Sequence, residues 1–415
     1  MRRLRIKYFD IWFVSILLIG TNFFNLISID EITGAKKDDL ILLFVLSGLV
    51  LFFIRTKSKM TFNKKTWLLF LTPVVLCFIG AFISNKLYGQ SFVQGFLAQR
   101  VFMLVPMGFF WIYSELKIGG VDTKKIRSII SIMGRIELTL LMIQCVFGEK
   151  FSFLTVPFQY MYRYGIQIYR ARTDLILITI AFFIWVDDYI NSRDKKKNIC
   201  FIVMTLVVLM VFVRTRMLMI GYVAMIIVAL FLWTPQKRIY KYISMCLMVV
   251  VIVVVIGSGL FQNTINTIVT QSDTLAIRAE GRKWYMNALS SHLLFGCGYP
   301  HEACREACVA AGFENGIYIV DNGIFGFAYM YGVVGVIWIV SFWIFFMKRA
   351  IWIAKNDSNY MYVLYMGLNI VICISLAYFN SYGLCMFMWS ALTAMCIWNV
   401  KNKKKELLER KGGQL

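Results

Sequence analysis

The stretch that decides the fold runs from Arg278 to Gly335. It opens as Arg278-Ala-Glu-Gly-Arg-Lys-Trp284, continues through Gly296-Cys-Gly298 to Asp321-Asn322-Gly323, and then enters an apolar run with Tyr331-Gly332-Val-Val-Gly335. It is the one long polar excursion in a chain of apolar runs, and it brings together cations, a carboxylate and turn glycines. We therefore predict a large loop that leads directly into a membrane helix, and we expect the function to reside there.

The composition outside this stretch excludes a soluble domain. The 415 residues are 60% hydrophobic, and the mean hydropathy is +0.70. The surface of a soluble protein this apolar would be one continuous adhesive patch. Apolar runs of about 15–25 residues alternate with short charged loops, which fits the ~20 residues that a helix needs to cross a bilayer. In lipid such runs must be helices, because their backbone polar groups have no water to bond.

The sequence thus predicts an all-α polytopic membrane protein with about twelve spans, forming a single membrane domain over residues 1–415. The predicted spans are 8–28, 40–54, 66–83, 92–114, 127–147, 173–190, 199–213, 217–233, 241–260, 318–347, 359–379 and 384–400. The basic start, Met1 to Lys7, leads into an apolar run without a small-residue cleavage site, so we expect a first span rather than a signal peptide. A loop at 148–172 and a large loop at 261–317, inserted between the ninth and tenth spans, separate the helices.

The net charge of +22 could suggest a nucleic-acid partner, but the positive residues are spread over many small loops rather than gathered on one face. The loops that include 55–65, 191–198 and the tail 401–415 hold the larger share of the lysines and arginines. By the positive-inside rule, these loops and both termini face the cytoplasm, and 148–172 and 261–317 face outward. We expect no nucleic acid, and we expect the basic tail to lie against anionic membrane lipid.

Arg214 and Arg216 are the first candidate site residues. They lie between the predicted spans 199–213 and 217–233, both short, on the outward side where the positive-inside rule disfavours cations. The planar guanidinium suits phosphate oxygens, so we interpret the pair as diphosphate ligands. The alternative is a pair of anchors whose charged heads snorkel to the interface.

A second basic set follows on the same side, with Arg278 and Arg282 as candidate diphosphate ligands and Trp284 as a substrate contact. The alternative for Arg282, and the favoured interpretation of Lys283, is a solvated helix face. Asp321 is the carboxylate at the end of this loop, and it could accept the proton of an attacking hydroxyl. The alternative is that Asp321 caps the following helix, as aspartate often does.

Three further arginines are weaker candidates for substrate binding. Arg100 lies within the predicted span 92–114, where a buried cation requires an anionic partner, either a ligand phosphate or Glu137. Arg170 and Arg172 are interleaved with aromatic residues in the loop 148–172, and aromatic faces stack on sugars. Aromatic residues also populate membrane interfaces without any ligand, which remains the alternative for this loop.

Cys297, Cys304 and Cys308 lie outside the predicted spans, and with His301 they form a pattern that superficially resembles a metal site. The pattern lacks the short C-x2-C spacing of zinc sites, so we favour a disulfide from Cys297 to one of the other two. The sequence also lacks a P-loop, a dinucleotide-binding glycine motif and a clustered aspartate pair that would hold a divalent metal for a nucleotide-sugar. We therefore predict no metal and no cofactor, and the energy for any reaction must arrive with the substrate.

At this point the motifs resemble those of a known family, the bacterial O-antigen ligases and polymerases. Val213-Arg-Thr-Arg216 is similar to the family's Ser-Arg motif, with Arg214 in the place of the serine. The large loop with Arg282, Trp284 and Phe295-Gly-Cys-Gly298 looks like theirs, although either Arg282 or Arg278 is the counterpart of the family's arginine. Asp321-Asn322 ahead of Gly332 and Gly335 resembles a His-Asn or Asp-Asn motif, and Asn322 thereby becomes a candidate substrate contact.

The resemblance implies a metal-independent, inverting glycosyltransferase at the outer face of the bacterial cytoplasmic membrane. Its substrate would be an undecaprenyl-diphosphate-linked glycan, transferred onto the sugar of a second lipid-linked repeat unit, as in O-antigen or capsule synthesis. Ligases of the family have histidine where this chain has Asp321, which favours a polymerase over a ligase. A chain-length regulator and a flippase of the same pathway are the implied protein partners. A lipid-linked oligosaccharide flippase or other transporter is the alternative from another class, but transporters tend to show internal repeats and polar residues at the middle of the bilayer.

Overall fold

The computed structural model describes residues 8–56, 63–148, 152–155, 158–163, 166–171, 173, 175–191, 193–213, 216–232, 272–373 and 382–412. The α-helices in this part of the chain are α1 (Tyr8–Gly20), α2 (Asn22–Asn25), α3 (Ile29–Thr33), α4 (Lys37–Thr56), α5 (Lys64–Tyr88), α6 (Phe92–Ala98), α7 (Leu104–Lys117), α8 (Thr123–Phe147), α9 (Ile176–Ile190), α10 (Lys195–Val207), α11 (Arg216–Leu232), α12 (Ser272–Ser291), α13 (Arg305–Ala310), α14 (Gly323–Asp357), α15 (Met361–Cys373) and α16 (Gly383–Gly412). Short 3-10 segments occupy Arg100–Met103, Phe313–Asn315 and Ile319–Asn322, and Val208–Val213 is π-helical.

The predicted class, an all-α membrane protein, is confirmed. Within the described ranges, five helices are long and apolar enough to cross a bilayer, or six if the bent pair Phe92–Ala98 and Arg100–Lys117 counts as one span. Eleven of the predicted spans coincide with helices, and the twelfth, 241–260, lies outside the described residues. The number twelve remains a prediction.

Two predicted spans differ in shape from the prediction. The first, 8–28, is a right-handed helix only to Gly20, because the four residues of α2, Asn22 to Asn25, adopt positive φ angles between 50° and 61°. The span at 92–114 is not continuous, since the helix breaks at Gln99 and its two halves are bent by 61°.

The loop predicted at 148–172 contains the one β-hairpin of the described chain. Strand β1 (Phe158–Arg163) pairs antiparallel with β2 (Ile166–Ala171), in a register that sets Tyr160 opposite Tyr169. The strand β2 contacts the π-helical segment Val208–Val213, directly before Arg214.

The core forms where α7 packs against α16. The hydroxyl of Ser390 donates to the carbonyls of Leu104 and Val105 at 3.1 and 3.0 Å, and Gly108 lies against the same serine. Small residues at this contact allow two membrane helices to approach closely. The large ring of Trp389 then stacks on Phe342 of α14 at 4.4 Å, which fixes α14, the helix that follows the large loop.

Polar contacts gather the helix ends into two groups at opposite ends of the bundle. At one end, Arg127 contacts Asp187 and Asp188 at 2.6 and 2.7 Å, and Lys403 contacts Asp357 at 2.9 Å. These residues belong to, or border, the loops predicted to be cytoplasmic.

At the other end, Asp38 accepts the backbone N–H of Gly383 at 2.9 Å. The side-chain amide of Gln90 donates to the carbonyl of Tyr299 at 3.0 Å. This second end therefore assembles around the large loop.

Candidate functional site

The helix α12 of the large loop lies alongside the start of α14. Arg278 faces Asp321, with 3.8 Å between its guanidinium nitrogen and a carboxylate oxygen. One turn further on, the guanidinium of Arg282 lies over the ring of Phe325 at 5.7 Å. Because the residue numbers rise together along both helices, α12 and α14 run parallel over these turns.

Gly281 permits this close approach. A Cβ atom there would lie 2.8 Å from the side-chain nitrogen of Asn322 and 3.0 Å from Ile317. Asn322 is 2% exposed, and its amide donates to the carbonyl of Tyr318 at 2.9 Å. Its buried Oδ1 has no hydrogen-bond partner among the described residues. The two helices therefore trap an amide oxygen directly beside the Arg278–Asp321 contact.

Asp321 does not cap α14, so the alternative role considered for it is wrong. It belongs to the 3-10 segment Ile319–Asn322, and the N-cap position is occupied by Asn322, whose side chain makes no capping bond. The side chains of Arg278 and Asp321 remain 35% and 47% exposed. Both charged groups can thus be reached from solvent while they stay in contact.

Trp284 points to the other face of α12 from Arg282, since residues two apart do not share a helix face. Its indole N–H donates to the carbonyl of Ala310 at 2.9 Å, which ties α12 to α13. The neighbouring hydroxyl of Tyr285 donates to the carbonyl of Ala311 at 3.1 Å. Burial raises the pKa of Tyr285, and the charge of Asp321 raises it further. These two side chains hold α12 in place beside the site.

The Gly-x-Gly motif and the glycine of the apolar run are joined through their backbones. At Gly332 the φ angle is +64° and α14 is interrupted. The freed carbonyls of Tyr329 and Met330 accept the N–H groups of Cys297 and Gly298 at 2.7 and 3.1 Å. A Cβ atom on Gly332 would lie 2.3 Å from the carbonyl oxygen of Leu294.

The donors freed by the same break are used as well. The amides of Val333 and Val334 donate to the carbonyls of Leu293 and Leu294 at 2.9 and 3.1 Å. Four backbone bonds thus replace part of the helical ladder, as buried backbone N–H and C=O groups require. The loop 292–298 is therefore built into α14.

Gln90 anchors the next part of the loop. Its Oε1 accepts the backbone N–H of His301 at 2.7 Å, and its amide donates to Ser84 at 3.1 Å. Gly298 packs on α5, the helix that carries Ser84, since a Cβ atom on Gly298 would lie 2.4 Å from the carbonyl oxygen of Gly80. The large loop is thereby fixed to α5 as well as to α14.

The predicted disulfide is absent, because Cys297, Cys304 and Cys308 are all free thiols in the structure. Each contacts a backbone carbonyl instead: Cys297 that of Ala288, Cys304 that of Tyr88, and Cys308 that of His301. The loop closes through backbone hydrogen bonds and Gln90, so it needs no covalent link to hold its shape. No group of three or more His, Cys, Asp or Glu within the described part of the chain could hold a metal.

Arg100 has a partner other than the two proposed for it. Its guanidinium forms a two-pronged contact with Asp39, through Nε and through NH2 at 2.9 Å, and NH1 donates to the carbonyl of Leu97 at 2.7 Å. It lies in the 3-10 segment that follows the break at Gln99, rather than in the middle of a helix. An ion pair within the protein, and not Glu137, compensates its charge.

The remaining arginine candidates fall at the limits of the described structure. Arg214 and Arg172 lie outside the described residues, and Arg216 and Arg170 are described only by their backbones, at the start of α11 and within β2. The π-helical segment that ends at Val213 is of the kind often found at functional sites. Their roles stay predictions.

Sequence reasoning missed Phe325, Gln90 and Asp39. An acidic pair, Asp38-Asp39, at the outer start of a predicted span could have signalled a partner for Arg100. No sequence signal marks Phe325, which is one more aromatic residue in an apolar run. Gln90 is likewise an ordinary polar residue between two spans.

Comparison with known families gives a match to a family model described as O-antigen ligase, over residues 199–340. A search of curated proteins found no significant match to the chain. The matched range includes Arg214 and Arg216, the whole of α12 with Arg278 and Arg282, the Gly-x-Gly loop, Asp321 and the break at Gly332. Residues 199–340 of this chain thus match the O-antigen ligase family model, in the part of the sequence whose motifs resemble that family.

Proposed function

We propose that the protein is a polysaccharide polymerase of an O-antigen or capsule pathway, acting at the outer face of the cytoplasmic membrane. It transfers a growing glycan from undecaprenyl diphosphate onto the sugar of a second lipid-linked repeat unit. The observation that carries the proposal is the exposed Arg278–Asp321 contact at the outer end of α14. A cation and a carboxylate side by side suit a reaction in which a diphosphate leaves and a hydroxyl loses its proton.

The chemistry is a single displacement. The acceptor hydroxyl oxygen forms a bond to the anomeric carbon as the bond from that carbon to the diphosphate oxygen breaks, with the electron pair leaving on the diphosphate. The carboxylate of Asp321 takes the hydroxyl proton as general base. Attack from the face opposite the leaving group inverts the configuration at the sugar carbon.

Arginines stabilise the charge that develops on the leaving diphosphate. Arg278 and Arg282 lie one turn apart on α12, so both can reach one extended diphosphate. We assign Arg214 and Arg216 to the same task, because they lie within the matched family range. With this set of cations, the mechanism requires no metal ion and no cofactor.

The looseness of the Arg278–Asp321 contact favours this division of roles. At 3.8 Å the two groups lie near the limit of an ion pair, and neither is enclosed. A phosphate oxygen can take the guanidinium while a sugar hydroxyl takes the carboxylate. Asn322 lies beside them with its amide oxygen buried, so in this arrangement Asn322 packs the wall of the site.

The aspartate at position 321 favours polymerase over ligase, since ligases of the family have histidine there. The pathway would supply substrate through a flippase, and a chain-length regulator would limit the product, with membrane lipid as the surrounding solvent. A transporter has less support, because the candidate site residues with described side chains, Arg278, Arg282 and Asp321, lie in or beside one loop at one end of the bundle.

Purified protein given a single lipid-linked repeat unit tests the proposal. A polymerase converts it to a ladder of longer lipid-linked glycans without any other acceptor. A ligase leaves the repeat unit unchanged until a different acceptor, such as a lipid A core, is added. Absence of any glycan transfer with either acceptor would overturn the assignment.

A further inference from the structure

The helix α12 descends toward the bilayer as it follows α14. Arg278 and Arg282 lie beside Asp321 and Phe325, and Tyr285 packs on Tyr329 with ring centroids 4.9 Å apart. The contact then continues through the backbone, from Leu293 to Val333. The large loop therefore moves steadily down α14 from the polar end.

The lowest part of the loop lies at the depth of the hydrocarbon. The basic pair Lys348-Arg349 marks the cytoplasmic edge of α14 just after Met347. At 1.5 Å per residue, Gly332 lies about 22 Å above Met347. Because the hydrocarbon is ~30 Å thick, the break at Gly332 and the loop bonded to it lie about 8 Å inside its outer boundary.

Three apolar side chains lie at the membrane end of this loop and are exposed on the surface of the protein. Leu293, Leu294 and Phe295, here called the apolar tip, are 54%, 62% and 40% exposed. Their backbones are nevertheless held, because the carbonyls of Leu293 and Leu294 accept bonds from α14. Irregular backbone is tolerated at membrane depth only where its polar groups are satisfied in this way. The tip is thus a fixed apolar surface at the depth of lipid chains.

We propose that the apolar tip binds the polyprenyl chain of the lipid-linked substrate, an inference that rests on the function proposed above. Arg282 and Leu293 are separated by about 16 Å along α12 and the turn after it. A diphosphate held by Arg278 and Arg282 would lie above the bilayer surface, with its chain leading down α12 onto the tip. The two arginines and the apolar tip are therefore arranged along the protein in the same order as the diphosphate and the polyprenyl chain in the ligand.

Continuity with the arginines distinguishes the tip from ordinary lipid-facing surface. Leu68 on α5 is also exposed, at 73%, but it belongs to a span with no described arginine of the site beside it. Ordinary bilayer lipid would contact both surfaces equally. A polyprenyl diphosphate, held by its head group, would contact the tip alone.

The test compares Leu294→Ser with Leu68→Ser in nanodiscs of phosphatidylethanolamine and phosphatidylglycerol. Binding of undecaprenyl diphosphate should weaken roughly tenfold in Leu294→Ser, because a contact of about two methylene groups with the chain is lost. Leu68→Ser should bind as wild type does. Inorganic diphosphate, which carries the head group without a chain, should compete equally well in all three proteins, and this also reports that the site is folded.

Three outcomes separate the two proposals. Equal binding of undecaprenyl diphosphate by wild type and Leu294→Ser, with normal competition by inorganic diphosphate, overturns the inference and leaves the proposed function standing. Failure of wild type to prefer undecaprenyl diphosphate over phosphatidylglycerol overturns both. Should Leu294→Ser not fold, a photoreactive group on the polyprenyl chain decides in wild type, since crosslinks that avoid residues 293–295 contradict the inference.

Discussion

At the scale of single residues, Asp321 is the residue whose substitution tests the proposed chemistry most directly. It is exposed, it faces Arg278 at 3.8 Å, and it makes no capping bond to α14. A residue placed this way has no evident structural duty, so its substitution isolates chemistry from folding.

The change Asp321→Asn keeps the shape of the side chain and removes the base. Turnover should fall by roughly 10²–10⁴-fold, the usual cost of losing a general base. Binding of the lipid-linked substrate should stay near wild type, because the arginines are unchanged. Polymer formed per unit of folded, detergent-extracted protein is the measurement, with Glu314→Gln, an exposed acid of the same loop, as control. Near-normal polymer from Asp321→Asn would leave the site without an identified base.

The arginines can be tested by a change that keeps their charge. Arg278→Lys, Arg282→Lys and Arg216→Lys should each lose most of the activity, because a point charge cannot replace the bidentate fork on a diphosphate. Arg305→Lys is the matched control, since Arg305 is 84% exposed in the same loop and contacts only Glu314 among described salt bridges. Activity is measured with expression and folding held equal. Full activity in all three variants would rule out the phosphate role.

At the scale of elements, the break in α14 organises the site. The Gly-x-Gly loop and the Gly332 break supply each other with four backbone bonds. This exchange fixes the lower end of α12, while Trp284 and Tyr285 fix its middle through α13. Arg278 reaches Asp321 because the whole helix is held, rather than through any strong attraction between the two charges.

The substitution Gly332→Ala should therefore disconnect the loop. Its backbone conformation, φ +64° and ψ −164°, is one that essentially only glycine adopts, with a cost of about 1–3 kcal/mol for other residues. The added Cβ would also meet the carbonyl of Leu294 at 2.3 Å. We expect a lower melting temperature, faster proteolysis of the loop 292–298, and loss of polymerisation.

Gly316→Ala is the control for backbone strain alone. Gly316 has a φ of +70° in the same large loop, but a Cβ atom there would meet nothing within 4 Å. Its cost should be roughly 1 kcal/mol, with the loop 292–298 still protected from protease. If both variants behaved alike, the backbone exchange at Gly332 would not be what holds the site.

At the scale of the whole molecule, the sequence predicts the membrane spans, because their length depends on the thickness of the bilayer. Run lengths near ~20 residues identify spans, and the described helices coincide with them. The bend at Gln99, the break at Gly332 and the pairing of Arg100 with Asp39 depend instead on contacts between distant segments. Arg278 and Asp321 were both identifiable as candidates, but only the fold brings them together.

The two polar ends of the bundle also bear on orientation. The contacts between Arg127 and Asp187, and between Lys403 and Asp357, join segments that the charge pattern assigns to the cytoplasm. The contacts of Gln90 and Asp38 join segments assigned to the outer side. The alternation of loops is thus consistent with the fold, and the choice of side rests on the positive-inside rule.

Labelling of single cysteines tests that choice directly. In a cysteine-free background, single cysteines introduced at positions 150–160 and 265–275 should react with an impermeant thiol reagent in intact cells or spheroplasts. Lys195→Cys should not react until the membrane is permeabilised, because Lys195 opens α10 in a basic loop that the positive-inside rule assigns to the cytoplasm. Labelling after permeabilisation serves as the internal control for accessibility. Reaction at 195 in intact spheroplasts would show that the orientation is the reverse of the predicted one. Asp321 would then face the cytoplasm, which contains ATP and nucleotide-linked sugars, rather than the outer side of the membrane.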